Sequence, residues 1–346
     1  MHINRKEKTK MGLRVLTVSC ILLVLHVSYG FSKMVTFPKL LKVENLKVKC
    51  DRIFVVEGTS ISIYSLEDYK LIKKFGRMGD GPREFKINPP DYALRIDALP
   101  EYILVNSINK VSYFTLDGEF IKEKRASIAY FFQPLGENFV GESFVQDEGV
   151  IYRAFHLYNP DFKRIKEIYR QKHIFQGGKG IIIGKEVPKC QVVKDLIFVS
   201  GKEGLVIDVY DKSGRLLHTF EQPYEKRKMT AKDEKAIHDL LKREYKEVYE
   251  RLKSMIKIAP NFPVIGNFLF DNQYVYVSTN KEQDGKTEFF MFDDKGKFLE
   301  KIFIPIAKKD PLRPYPFDFY KGKLYQFIDN EDTDEWELHI TDIPKK

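Results

Sequence analysis

Phe75-Gly76-Arg77-Met78-Gly79-Asp80-Gly81-Pro82-Arg83-Glu84-Phe85 is the stretch whose reading decides the fold. Its glycines allow positive φ and Pro82 then fixes φ, so the chain leaves one extended segment and turns tightly into another. Alternating apolar runs flank it: Ile61-Ser62-Ile63-Tyr64 and Lys70-Leu71-Ile72-Lys73 before, Tyr102-Ile103-Leu104-Val105 after. A hairpin, a connector and a fresh strand form a unit, and the question is whether the unit recurs.

It does. Strand, strand, turn and strand recur from Arg52, Tyr102, Val150, Leu196, Tyr274 and Lys323, with turns at Asp117-Gly118, Lys212-Ser213-Gly214 and Asp294-Lys295-Gly296. Anchored on Ile53, Ile103, Ile151, Ile197, Val275 and Leu324, the units are spaced by 50, 48, 46, 78 and 49 residues. A period in that range, with short strands grouped per unit, predicts an all-β, six-bladed β-propeller. The sixth unit ends one strand short, while Thr36-Phe37-Pro38-Lys39-Leu40-Leu41-Lys42-Val43 has no place in the first. That segment is expected to supply the outer strand of the last blade and close the ring.

The long interval holds a helical insertion between blades 4 and 5, over 225–260. Thr230 with Asp233 is an N-cap signal, and Ile237, Leu240, Leu241, Val248, Leu252 and Met255 follow helical spacing until Pro260 and Pro263 end it. Such a helix packs one apolar stripe on the blades. Because it lies in the same kind of connection as the Gly-rich stretch, it is also expected to stand over the channel mouth as a lid or docking element.

Residues 1–30 read as a secretory signal peptide: basic from Arg5 to Arg14, apolar from Val15 to Val27, and Ser28-Tyr29-Gly30 for cleavage after Gly30. An apolar core of about 13 residues is short of the about 20 that span a bilayer. The alternatives are an uncleaved anchor and a lipid anchor at Cys20. The expected product is an extracytoplasmic chain, periplasmic or secreted, with 31–346 as the propeller. Of the +9 formal charge, +4 lies in the signal and eleven Lys/Arg against seven Asp/Glu lie in 225–257, which leaves a near-neutral body and no nucleic-acid surface. Cys50 and Cys190 are expected as buried free thiols.

The stretch from Phe75 to Phe85, followed by Asn109-Lys110-Val111 and Asp117-Gly118-Glu119-Phe120, resembles the NHL repeat, in which a Gly-rich segment ending in Gly-Glu-Phe leads into strands and an Asp-Gly turn. The whole chain is similar to six-bladed TolB-like or NHL-like propeller proteins of bacterial cell envelopes. Arg83 and Lys110 depart from the motif, and the later units keep only its strand pattern. The resemblance implies a fold and no particular activity.

The motifs of common chemistry are missing. Gly177-Gly178-Lys179-Gly180 lacks P-loop spacing, the histidines at 156, 173, 218, 238 and 339 are scattered, and there is no Gly-x-Ser-x-Gly. Asp284-Gly285 and the acids from Asp329 to Glu335 lack EF-hand spacing and read as solvated turns. The leading expectation is a monomeric binding module for a protein, small-molecule or saccharide ligand, without a catalytic or metal site. Its ligand-binding residues are expected to be Arg77, Asp80, Arg83, Asp91 and Tyr92 on the channel face, with arginine gripping carboxylate or phosphate. The bland reading pairs Arg77 and Arg83 with acids of the neighbouring blade. The rival is a metal-dependent hydrolase or lactonase, with calcium as its cofactor, held in the channel by Asp91, Asn106, Asn267 and Asp318.

Overall fold

The computed structural model describes residues 33–87, 94–126, 131–174 and 180–344. The signal segment and the expected site residues Asp91 and Tyr92 lie outside them. Six four-stranded antiparallel sheets form a ring. From the innermost strand outward, blade I is Asn45–Lys49, Arg52–Glu57, Ser60–Ser65 and Leu71–Phe75, and blade II is Arg95–Ala98, Ile103–Ser107, Lys110–Phe114 and Phe120–Arg125. Blade III is Phe131–Leu135, Asn138–Asp147, Val150–Tyr158 and Arg164–Lys172, and blade IV is Lys189–Val193, Leu196–Ser200, Leu205–Asp211 and Leu216–Gln222. Blade V is Ile265–Asp271, Tyr274–Gln283, Lys286–Asp293 and Phe298–Ile304.

Blade VI joins Phe317–Tyr320, Lys323–Asn330 and Glu335–Asp342 to the N-terminal strand Lys33–Phe37. That strand runs antiparallel to the last, with Lys33 opposite Ile340 and Phe37 opposite Trp336. The ring is therefore closed as expected. The closing strand is shifted, however: it begins at Lys33 and stops at Phe37, because Pro38 has no N–H to offer a ladder.

Most middle strands are buried on both faces, as in Ser60–Ser65, where Ile61 to Tyr64 are all inside; Glu335–Asp342 of blade VI alternates. Every blade is packed on both sides, so alternation cannot sort core from solvent there. Only the outer strands are exposed, as Leu71 and Ile72 are. The core is a ring of six apolar clusters, one per blade interface. The cluster between blades VI and I contains Phe37, Tyr64, Phe327 and Trp336, so the closing strand contributes to the core as well as to the ladder.

The repeated outer turns have a packing reason for their glycines. Gly118 (φ 82°) and Gly296 (φ 83°) are left-handed, and a β-carbon on either would press to about 3 Å or closer on side chains of the preceding blade, Ile63 and Phe75 for the first, Val209 and His218 for the second. The Asp-Gly signal thus marks both a turn and an interface.

The third unit needs a correction. Ile53, Ile103, Ile197, Val275 and Leu324 each lie in the second strand of a blade, opposite the residue five positions before them. Their equivalent in blade III is Phe139, opposite Pro134, whereas Ile151 lies in the third strand. The intervals around it are therefore 36 and 58 residues, not 48 and 46. A short link into blade III and a long one out of it offset each other, and the even spacing concealed both.

A capping box opens the helix Ala231–Leu252, hereafter α1. The Thr230 hydroxyl accepts from the Asp233 N–H, and the Thr230 N–H donates to the Asp233 carboxylate. Lys246 interrupts it at φ 34°, ψ −105°. The helix ends before the prolines expected to stop it, in a single 3₁₀ turn at Lys253–Met255. The chain then forms a strand, Ile256–Ile258, parallel to Ile181–Ile183 from the connection between blades III and IV. Among the described residues no helix is long and apolar enough to cross a membrane.

Candidate functional site: the channel mouth beneath α1

The innermost strands were absent from the sequence reading, and they build the site. Each is short and faces its neighbours around the axis, so alternate residues point into the lumen. Eight positions before each second-strand anchor stand Asn45, Arg95, Phe131, Lys189, Asn267 and Pro316, and all six line the central channel. Six positions before it stand Lys47, Asp97, Gln133, Gln191, Leu269 and Asp318, of which all but Asp97 line the same space. Two layers result. The inner strands start at the face where α1 and the other blade-to-blade connections emerge, so the first set forms the mouth and the second the interior.

The interior layer is electrostatically matched. The Lys47 ammonium donates to Asp318 at 3.2 Å, and the other Asp318 oxygen accepts the Val48 N–H at 2.8 Å, tying blade VI to blade I. Burial alone would lower the Lys47 ammonium, but Asp318 and Asp97 hold it above its usual value. Burial pushes Asp318 above the ordinary carboxylate range despite Lys47. It also pushes Asp97 up to about 6, with Lys47 and Arg95 opposing the shift.

The mouth layer is not matched. Its two cations, Arg95 and Lys189, meet no carboxylate within ion-pair distance among the described residues. The Arg95 guanidinium lies 3.5 Å from the Phe131 ring centroid, a cation–π contact, and the residue is exposed to the lumen. Lys189 is lowered to about 8, first by enclosure and then by the charges of Arg153 and Arg95. Arg153 itself is paired with Glu142, with Nε at 2.8 Å and Nη2 at 2.9 Å.

Above this layer is a cavity of about 740 Å³. Its wall is the long hairpin of blade III, through Phe144, Ile151 and Arg153, and its roof is α1, through Leu241, Tyr245, Val248 and Leu252. Arg95, Phe131, Glu142 and Arg153 line both this cavity and the channel of about 690 Å³ below, so the two communicate. The roof is held from the connection between blades V and VI: Arg313 donates from Nη1 (3.1 Å) and Nη2 (2.6 Å) to the Glu244 carboxylate, and from Nε to Asp310 at 2.8 Å.

Only Ile237 and Leu240 of the apolar stripe of α1 are buried. Leu241, Val248 and Leu252 face the cavity, and Val248 is 40% exposed. The stripe therefore packs on the blades over its first half and roofs an open space over its second.

The expected site residues take other positions. Arg77 pairs with Glu84 at 2.7 Å, and Glu84 also accepts the Gly81 N–H at 2.8 Å. Asp80 pairs with Lys86, and Arg83 (φ 64°) stands 5.5 Å from the Phe120 ring centroid. Arg77, Asp80 and Arg83 line neither the channel nor the roofed cavity. Lys110, the departure from the NHL motif, donates to the Gly81 carbonyl at 2.8 Å and so braces the connector. Phe85 is fully buried against Phe114.

The four residues weighed for a metal do not converge. Both amide atoms of Asn106 bond the Phe132 backbone, at 2.9 and 3.1 Å, Asp318 is engaged by Lys47 and Val48, Asn267 lines the channel, and Asp91 lies outside the described residues. Among the described residues no three His, Cys, Asp or Glu side chains are grouped to hold a metal. Cys190 lines the channel and Cys50 sits at the opposite end of blade I; both are free thiols, and burial pushes that of Cys190 well up.

Arg95 and Lys189 were missed because Arg95-Ile96-Asp97-Ala98 and Lys189-Cys190-Gln191-Val192-Val193 are too short and mixed to read as strands; Arg153 lies in a strand that was legible, Val150–Tyr158, whose reach over the channel mouth was not. The signal that finds Arg95 and Lys189 is positional: count back eight from each anchor.

No family model matches the chain, and no curated protein matches it. Solved structures do. A protein of Bacteroides fragilis NCTC 9343 thought to be exported is 12% identical over 91% of this chain and 96% of its own, with a TM-score of 0.49. A member of the DUF4221 family from Bacteroides vulgatus ATCC 8482 is 13% identical over 90% and 96%, with a TM-score of 0.48. The Cps50 (Swd1) β-propeller domain of Myceliophthora thermophila is 11% identical over 89% and 99%, with a TM-score of 0.42.

Proposed function

We propose that this six-bladed propeller is an extracytoplasmic binding module, of the TolB-like or NHL-like kind its Gly-rich connector resembles, and that it takes a ligand at the channel mouth beneath α1. The observation that carries this reading is the roofed cavity. Half of an amphipathic stripe is left over open space, where a helix that served only to cover the blades would bury it. The volume falls within the range of about 300–1,000 Å³ common to ligand sites. The basic start and apolar run of residues 1–30 support the extracytoplasmic setting. Arg77, Asp80, Arg83, Asp91 and Tyr92 serve in this reading as an outer contact rim on the face from which the connections emerge.

The test fills the cavity. Leu241→Trp should abolish the thermal shifts that a panel of sugars, nucleotides, amino acids and carboxylates produces in the wild-type protein. Ser213→Trp, in an outer turn at the far end of blade IV, should leave them intact. Shifts that survive Leu241→Trp would place recognition elsewhere.

A further inference from the structure

Resting on the reading that the roofed cavity is the binding site, the structure also assigns its ligand class. We propose that the cavity takes an amphipathic monocarboxylate, its apolar body under α1 and its head group at Arg95 and Lys189. Two independent features define such a molecule. The upper part is apolar: Phe144, Ile151 and Ile181 face Leu241, Val248 and Leu252 across it. Burying a chain there removes apolar area from water on both partners, and the helix side chains that now contact the cavity gain a packing partner.

The lower part is cationic. Arg95 stands where the cavity opens into the channel, and Lys189 lines that channel in the same layer of inner-strand residues. Neither has a carboxylate partner among the described residues, whereas Arg153, Lys47 and Arg313 all do. Cations of like sign facing one lumen repel one another, and a bound anion would relieve that repulsion. Lys189 already yields part of its affinity for protons to the charges of Arg95 and Arg153.

The acids set an upper limit on ligand charge. Glu142 lines the junction and Asp318 lines the channel beneath, so the second charge of a dianion would meet carboxylates there. One negative charge suits two open cations backed by acids. A cationic head group would face Arg95 and Lys189 directly, and a neutral one would leave them unanswered.

Calorimetric titration of the full mature chain with decanoate, decan-1-ol, decyltrimethylammonium and acetate, all below micellar concentrations, tests this. Decanoate should bind more tightly than decan-1-ol by at least about tenfold, since one charge-assisted hydrogen bond is worth that much. The cation and acetate should bind far more weakly still. Arg95→Gln and Lys189→Gln should each weaken decanoate by about tenfold and leave decan-1-ol unchanged. The comparison of decanoate with decan-1-ol uses the wild-type protein alone and does not depend on either variant folding. Equal binding of decanoate and decan-1-ol, or decanoate binding indifferent to both variants, would overturn the carboxylate assignment while leaving the cavity as the site. Decanoate binding that survives Leu241→Trp would sink the site and the assignment together, and an absence of decanoate binding would overturn the assignment.

Discussion

Asp97 is the residue whose chemistry is most altered by where the fold puts it. It titrates at 3.8 when free and is pushed up to about 6 by burial, with Lys47 and Arg95 only partly opposing. The folded protein therefore binds this proton more tightly than the unfolded chain does. Its contribution to stability is complete below the free value and is lost as pH rises through about 6. Asp97→Asn removes that dependence. It is expected to change stability little near about pH 4 and to stabilise by about 2 kcal/mol near about pH 7.5. Urea unfolding midpoints across that range check it, and a variant that stays parallel to wild type throughout contradicts the account. Nothing in Arg95-Ile96-Asp97-Ala98 taken alone discloses this: the shift comes from burial inside the closed ring, opposed by Lys47 of blade I and reinforced by Asp318 of blade VI.

Among the elements, the closing strand and α1 carry the clearest consequences. Phe37 is the last residue of Lys33–Phe37, and its ring sits edge-on to Tyr64 at 4.9 Å and to Phe327 at 5.2 Å between centroids. Phe37→Ala should cost about 3–4 kcal/mol by equilibrium denaturation, because it empties a position in the cluster that joins the first blade to the last. A loss under about 1 kcal/mol would mean that the closure is only a ladder and not part of the core. Thr230→Ala removes the capping hydroxyl of α1 and should cost that helix about 1 kcal/mol. Hydrogen exchange should quicken over its first turns while the global unfolding midpoint barely moves. Both elements were legible. The closing strand showed as an unassigned segment beside a unit one strand short, and the helix as an apolar stripe after a cap. What was illegible was their fit: the strand ends at Phe37 because of Pro38, and α1 stops at Leu252 because Ile256–Ile258 is drawn into a ladder with Ile181–Ile183, far away in sequence.

At the scale of the whole molecule, the ring supplies a rigid wall and α1 a roof tied through Glu244 to Arg313. Arg313→Gln breaks the paired bonds to Glu244, and exchange throughout Ala231–Leu252 should rise by about three- to tenfold, the modest value of a partly exposed ion pair. Protection unchanged in that variant would mean that the roof is held by its apolar contacts alone. Calcium should leave the melting temperature within about 1 °C of its value in chelator, since a cation that binds only the folded state must raise it. A rise of several degrees would favour the hydrolase or lactonase alternative over the binding module.

The amino-acid sequence by itself determined the number of blades, the ring closure and the place of the helical insertion, because strand periodicity, turn glycines and caps are local properties written within a few residues of one another. Only the tertiary structure decided which residues meet. Arg95, Lys189, Lys47 and Asp318 lie on four different blades, each on a strand too short to announce itself. They become a site because a closed ring turns the same position of every blade toward one axis.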